Sequence, residues 1–302
     1  MTRIRIGGHE IELKNRDKVL FPDAGITKGD VIEYYRDVAE LMLPHLRARP
    51  LTLQRFPDGI GKDGFYQQER SDYFPGWLGG VRLERAGGKG DSVHHIVCND
   101  EASLVYLANQ GTIALHGWLA VAERPHHPDR IVFDLDPPGD DFDPVRDAAR
   151  QVADLMREIG LTPYPMTTGS RGVHVVAPLD GGSGFDAVRA LARDMAERLA
   201  EAHPRALTTA QRKDQRRGRL YLDVMRNAYG QTAVQPYSLR ARPGAPVATP
   251  LAWEELGRRE LGPRSYDLGN LRRRLAQKED PWADMGRHRV SAARARERLD
   301  AR

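Results

Sequence analysis

Seven residues constrain this chain more than any others: Arg130-Ile-Val-Phe-Asp-Leu-Asp136, stopped by Pro137-Pro138-Gly139. The apolar run has the length of a strand, and the two prolines end it. A strand's period of two puts Asp134 and Asp136 on one face, about 7 Å apart along the backbone. Two carboxylates at the end of an apolar strand are costly unless something neutralises them. A divalent cation does so, and hard oxygen ligands suit Mg²⁺ or Mn²⁺. Asp-x-Asp-Pro is also a turn or N-cap pattern, so the spacing leaves both readings open.

Asp223 strengthens the metal reading. It is a lone carboxylate in a second apolar segment, Leu220-Tyr-Leu-Asp-Val224. Three strand carboxylates from separate segments are what a two-metal phosphoryl-transfer centre requires. A solvent-facing edge strand would explain any one of them, though less readily all three. Between them lies Thr167-Thr-Gly-Ser-Arg-Gly-Val-His174, a glycine-rich turn entering a strand. Its backbone N–H groups, the Thr168 and Ser170 hydroxyls, Arg171 and His174 would suit a phosphate nest. The P-loop pattern is missing, so a plain turn stays open. Gly61-Lys-Asp-Gly64 lacks the residue that separates lysine and aspartate in a ligase Lys-x-Asp-Gly motif, so no ligase centre is expected.

Strands and helices alternate around these motifs. Ile4–Leu13 alternates about Gly7-Gly8 as a hairpin; a helix is expected from Thr27 until Pro44, and a strand at Arg49–Phe56. Residues 59–90 are turn-rich and aromatic, and Glu101–Ile113 has helical periodicity. Helices are expected from about Pro144 to Ile159 and from Phe185 to Ala202, with strands at Gly172–Ala177 and Arg219–Val224. The pattern points to an α/β or α+β sheet packed by helices. No repeat or low-complexity linker divides the chain, and the basic tail from about Ser291 reads as a solvated helix.

Charge adds a partner. The 302 residues carry a net +4 with pI near 9.2, a weak lean towards polyanions. Only seven of the 46 basic residues are lysines, and three of those, at 14, 18 and 28, fall in the first 28 positions. Arginine-rich genome composition would account for the arginines, but not for that cluster. No apolar run approaches 18 residues and no N-terminal h-region is present, which makes the cytoplasm the expected location. Cys98 is the only cysteine, excluding a disulfide framework or cysteine zinc site.

The order of motifs resembles one family: the polymerase domain of bacterial ligase D, in the archaeo-eukaryotic primase superfamily. The resemblance is carried by Asp17-Lys-Val-Leu-Phe-Pro22 with Thr27-Lys-Gly29, Arg49-Pro-Leu-Thr-Leu53, Asn99-Asp100 and Leu107-Ala-Asn109. It continues through Leu115-His116 with Trp118, Phe133-Asp-Leu-Asp-Pro137, Gly169-Ser-Arg-Gly-Val-His174 and Arg226-Asn227. Thr232-Ala-Val234, Pro236-Tyr-Ser238, Arg240-Ala-Arg-Pro-Gly-Ala-Pro246 and Asp280-Pro-Trp-Ala-Asp284 close it. The resemblance implies an α+β primase-polymerase core, with an RRM-like antiparallel sheet flanked by helices, and an N-terminal α/β subdomain. A single domain would span residues 1–290, with end binding at about 1–115, the core at about 116–290 and a basic tail at 291–302.

The implied roles follow position by position. Asp134, Asp136 and Asp223 would hold two Mn²⁺ or Mg²⁺ ions, and His116, Thr168, Ser170, His174, Arg226 and Arg240 would join Arg171 around an NTP or dNTP. Asn15, Lys18 and Lys28 match a pocket for the 5′-phosphate of a downstream DNA strand. Arg55, Phe65 and Tyr66 match residues that support and stack on template bases. Residues about 84–95 and the basic loop Arg212–Arg219, with Arg216, correspond to loops that handle primer or synapsed ends. Thr168 stands where serine is common, and Gln67-Gln68 replaces a more usual acidic-basic pair.

The implied activity is extension of primer 3′ ends at gaps and double-strand breaks in non-homologous end joining, near the bacterial nucleoid, with Ku and a separate or fused DNA ligase as partners. No ligase or nuclease motif is present, implying an isolated domain or a stand-alone polymerase. A gap-filling or priming polymerase of excision repair, a non-catalytic end-binding module and a metal-dependent nuclease are the alternatives.

Overall fold

In the computed structural model, which describes every residue except 1, 86 and 89, the chain forms two compact units. Unit 1 comprises Met1–Glu123, Thr232–Ala248 and Tyr266–Lys278; unit 2 comprises Arg124–Gln231, Thr249–Ser265 and Glu279–Arg302.

Unit 1 opens with the hairpin β1 (Thr2–Ile6) and β2 (His9–Leu13), paired from Thr2↔Leu13 to Ile6↔His9. Gly7 and Gly8 both take positive φ, +54° and +87°, as a two-residue hairpin turn requires. A short ladder, β3 (Val19–Phe21) and β4 (Ile26–Thr27), leads into α1 (Lys28–Asp37). Thr27 and Asp30 form a reciprocal capping box that satisfies two of the helix's orphan N–H groups. The single helix expected from Thr27 to Pro44 is two: it breaks at Val38 and resumes as α2 (Ala39–Leu46), which carries Pro44 inside it.

Next come β5 (Pro50–Arg55), β6 (Phe65–Gln67), β7 (Gly80–Glu84), β8 (Ser92–Val97), α3 (Glu101–Asn109) and β9 (Thr112–Trp118). The turn-rich aromatic stretch thus contains two short strands. Antiparallel β9, β5, β8 and β7 lie in that order, and β6 pairs with the far end of β5. The buried phenols of Tyr34 and Tyr35 donate to the carbonyls of Tyr237 and Ile113, at 2.8 and 2.5 Å, tying α1 to a later segment and to the entry of β9.

Unit 2 begins with β10 (Arg130–Asp136) and α4 (Asp143–Glu158), then β11 (Tyr164–Thr167), β12 (Val173–Pro178) and α5 (Phe185–Ala202). It continues through β13 (Leu207–Thr208), the one-turn α6 (Lys213–Arg216) and β14 (Leu220–Asp223), ending in a 3-10 turn at Met225–Asn227. The chain returns to unit 1 for β15 (Thr232–Val234), which joins the outer side of β9, and to unit 2 for β16 (Thr249–Pro250) and the short α7 (Trp253–Leu256). The short α8 (Leu271–Leu275) lies in unit 1 and α9 (Ala292–Asp300) in unit 2.

The unit 2 sheet runs β13-β14-β10-β12-β11-β16, with only β13 and β14 parallel. Helices α4 and α5 pack against its central strands. On α5 the buried Val188, Leu191, Ala192, Met195 and Leu199 recur at helical spacing, each Val or Leu worth roughly 1.5–3 kcal/mol of burial. The C-terminal segment is less solvated than its charge suggests: Ala292, Ala295 and Leu299 of α9 are buried, and the helix packs on α5. No helix among the described residues is long and apolar enough to cross a membrane.

Candidate active site and a cationic cavity

Strand register builds the carboxylate site. Asp134 of β10 sits directly opposite Asp223 of β14 on one side and His174 of β12 on the other. Directly paired residues share a face, so Asp223, Asp134 and His174 form a row across three strands spaced about 4.8 Å apart. Asp136, two residues along β10 and opposite Tyr221, lies on the same face. Ile131, Phe133 and Leu135 point to the other face and are buried, which anchors the strand.

Like charges directly opposite each other repel, so this register needs compensation. Protein donors supply it here. His174 Nε2 lies 3.4 Å from Asp134 Oδ1, and Arg226 Nε donates to Asp134 Oδ2 at 3.4 Å. Arg171 Nη2 donates to Asp136 Oδ2 at 3.4 Å, and the Met225 backbone N–H to Asp223 Oδ1 at 2.8 Å. Burial pushes the Asp134 carboxyl up, but His174 and Arg226 outweigh it and hold it at about 2. For Asp136 and Asp223 burial prevails, helped by the Asp134 charge, and both carboxyls rise above the usual range.

Among the described residues, no three acidic, histidine or cysteine side chains are gathered as they stand around one point that could hold a metal ion. The donor set nevertheless fits a hard divalent cation: three carboxylates share one face, two of them held in proton-retaining surroundings that a cation would relieve. Rotation of the carboxylates away from Arg226, Arg171 and the Met225 amide would free them as ligands.

The glycine-rich turn abuts this row. A Cβ at Gly172 would lie 2.0 Å from the Leu135 carbonyl oxygen and 2.9 Å from Asp136 Oδ1, so only glycine lets the turn press on the end of β10. The Thr168 hydroxyl accepts the backbone N–H groups of Ser170 and Gly172, each at 3.3 Å. Two donors of the expected phosphate nest are therefore turned inward, and the Thr168 side chain sets the loop's shape. Arg264 Nε donates to the Ser170 carbonyl at 2.8 Å, a clamp that sequence spacing did not reveal. Arg216 stacks on Tyr221, its guanidinium carbon 4.1 Å from the ring centre, so the basic loop reaches the strand that carries Asp223.

The structure places Thr168, Ser170, Arg171, His174 and Arg226 in unit 2, and His116 and Arg240 in unit 1. His116 lies on β9 opposite Thr52, its ring edge-on to Tyr66 at 6.1 Å. The Arg240 backbone N–H donates to the Pro246 carbonyl within a returning loop. Phe65 and Tyr66 of β6 are 47% and 65% exposed, unusual for large aromatics and suited to stacking. The Arg55 guanidinium lies 5.3 Å from the Phe65 ring centre and is held by the Gln110 carbonyl, Gln67 and Tyr73. The loop expected at about 84–95 includes residues 86 and 89, which lie outside the described residues.

The lysine cluster folds around a cavity of about 260 Å³ in unit 1, into which Lys14, Asn15, Lys18, Lys28 and Arg55 converge. Asn15 takes φ +53°, a left-handed conformation asparagine tolerates. Lys28 Nζ donates to the Lys14 carbonyl at 2.7 Å; Lys18 Nζ donates to the Pro57 carbonyl at 2.8 Å and pairs with Asp58. Burial, then the charges of Lys18, Arg55 and Lys14, lower the Lys28 ammonium to about 8. Asp58 pairs with Lys18 and Glu12 with Lys14, yet four cationic side chains still converge on this one cavity, an arrangement that suits an anion. Asn109 and Gln110, at the end of α3, complete its wall; they lie about 95 residues from Lys14 in sequence, and no local pattern marked them.

Comparison with known proteins agrees. The family model described as LigD, primase-polymerase domain, matches residues 27–282. The chain is 36% identical over 266 residues to the multifunctional non-homologous end joining DNA repair protein LigD of Mycobacterium tuberculosis, covering 85% of this chain and 35% of the relative. It is 31% identical over 283 residues to the bifunctional non-homologous end joining protein LigD of Bacillus subtilis, covering 92% and 44%. It thus spans between about a third and under half of these relatives. The solved polymerase domain from M. tuberculosis ligase D in complex with DNA superposes with a TM-score of 0.85 at 32% identity, covering 91% of this chain and 97% of that one. The chain belongs to the LigD primase-polymerase domain family.

Proposed function

We propose that this chain is a metal-dependent nucleotidyltransferase that adds NTPs or dNTPs to primer 3′ ends at gaps and breaks bearing a 5′-phosphate, in end-joining repair with Ku and a ligase. The observation that carries the reading is the cross-strand row Asp223–Asp134–His174 with Asp136 beside it. Asp134, Asp136 and Asp223 would hold two Mn²⁺ or Mg²⁺ ions, whose chemistry is to acidify the 3′-hydroxyl and neutralise charge on the triphosphate. Arg226 and Arg171, which now balance the carboxylates, would turn to the triphosphate and stabilise the charge that develops on it. His174 supports Asp134 from the neighbouring strand. The names of the relatives, and the DNA bound to the solved polymerase domain, support the end-joining setting.

Incubation with Mn²⁺, one NTP and a gapped duplex with a 5′-phosphate tests the proposal: the primer should lengthen. Shortening would indicate a nuclease, and an unchanged primer a binding module. Replacing Lys18 and Lys28 by alanine should remove any preference for a 5′-phosphate over a 5′-hydroxyl, measured as a ratio of dissociation constants. An unchanged ratio would refute the end-binding role.

Lys28 adds a pH signature. Its lowered ammonium is charged below about pH 8 and loses its proton above, and the charged form holds the phosphate. The phosphate preference should therefore fall by about tenfold between about pH 7 and 9. An ordinary lysine would hold its charge across that range, so a flat profile would contradict the buried placement.

A further inference from the structure

A second cavity, of about 370 Å³, adjoins the cationic one and shares Lys14, Asn109 and Gln110 with it. We propose that it is a subsite for the terminal base of the DNA strand whose 5′-phosphate the lysines hold. The proposal rests on the end-binding role given above.

Its walls are of a different kind. Tyr73, Trp77 and Tyr106 line it, and Tyr73 is 62% exposed although it is a large aromatic. The Tyr73 ring meets Phe74 edge-on at 4.9 Å. Trp77 is braced by His9, stacked at 4.5 Å, and by Tyr106, edge-on at 5.5 Å. Braced aromatic faces take bases without regard to sequence.

Charge selects what enters. Glu10 and Glu12 line this cavity and not the cationic one, and Glu12 pairs with Lys14 at 3.6 Å, where the two cavities meet. A second phosphate would be repelled there, whereas a base is uncharged and offers N–H donors to carboxylates. The phosphate belongs with the cations, and what is attached to it belongs with the rings.

Arg55 couples the two cavities. Its Nη1 donates to the Tyr73 hydroxyl at 3.0 Å, and Nε and Nη2 donate to the Gln110 carbonyl at 3.0 and 2.7 Å. One guanidinium thus lines the phosphate cavity and fixes the aromatic wall beside it.

The test measures dissociation constants by fluorescence anisotropy for gapped duplexes whose 5′-terminal nucleotide is intact or abasic, each with a 5′-phosphate or a 5′-hydroxyl. The wild-type chain should lose about tenfold in affinity when the phosphorylated terminal base is removed. Tyr73→Ala should reduce that difference to less than about twofold while still preferring the phosphate, and Tyr73→Phe, which keeps the ring but loses the Arg55 bond, should restore it. A wild-type chain that prefers the phosphate but binds intact and abasic ends alike would overturn the subsite alone. So would a Tyr73→Ala chain that still distinguishes them. A wild-type chain indifferent to the phosphate would overturn the end-binding role, and the subsite with it.

Discussion

Replacing Asp134 and Asp136 together by asparagine is expected to lower nucleotide addition at least about 10³-fold, while affinity for a gapped duplex changes less than about threefold. Asparagine preserves shape and removes charge. The lost charges lie on one face with Asp223, so their mutual repulsion is relieved as their metal-ligating capacity is lost. Arg226 is 40% exposed and can turn to water when Asp134 is neutralised. The melting temperature should consequently move by only about 2–4 °C, about 1 kcal/mol for a chain of this size. Primer-extension rates, binding isotherms and a thermal melt on the same preparation check this. Extension above about a tenth of the wild-type rate would mean that the carboxylates do not carry the chemistry.

Gly172→Ala should also be damaging, though about tenfold less so in rate, by a different route. Its methyl group would stand 2.0 Å from the Leu135 carbonyl oxygen, a backbone atom between the two aspartates. Something must shift, and the available movements carry the turn away from β10 or the end of β10 out of register. Such overpacking costs roughly 1–3 kcal/mol. A displacement of about 1 Å at a reacting centre costs on the order of 100-fold in rate. Melting and extension measured together should show both losses. A fully active Gly172→Ala chain would show that the turn does not set the position of the carboxylates.

What was legible in the sequence follows from where the physics is local. Strand β10 could be read to its ends, because an apolar run meets two prolines at Pro137 and Pro138. Helix α5 was equally plain, its apolar positions recurring without interruption from Phe185 to Ala202. The hairpin followed from Gly7-Gly8, and the start of α1 from Thr27 and Asp30.

Strands β6, β7 and β8 were not legible. β6 and β7 are short and partly exposed, β8 follows a glycine-rich turn, and the pairing of all three is decided by β5 and by one another rather than by their own pattern. Nor does any local signal show that 232–248 and 266–278 return to the first unit; contacts far apart in sequence, such as Tyr34 with Tyr237, decide that.

The candidate site divides in the same way. Spacing suggested that Asp134 and Asp136 share a face, but that Asp223 lies directly opposite Asp134 is a matter of register. The lysine cluster was visible as composition. The cavity around it was not, because Arg55, Asn109 and Gln110 arrive from separate elements.

The central claim is that these three carboxylates form a divalent-cation centre, and direct binding of Mn²⁺ tests it without depending on turnover. Electron paramagnetic resonance of free Mn²⁺, titrated with the wild-type chain without nucleotide, should show the free-ion signal disappear as protein is added. With the Asp134→Asn/Asp136→Asn chain the free signal should persist. Equal depletion by both chains would place the metal elsewhere and contradict the account.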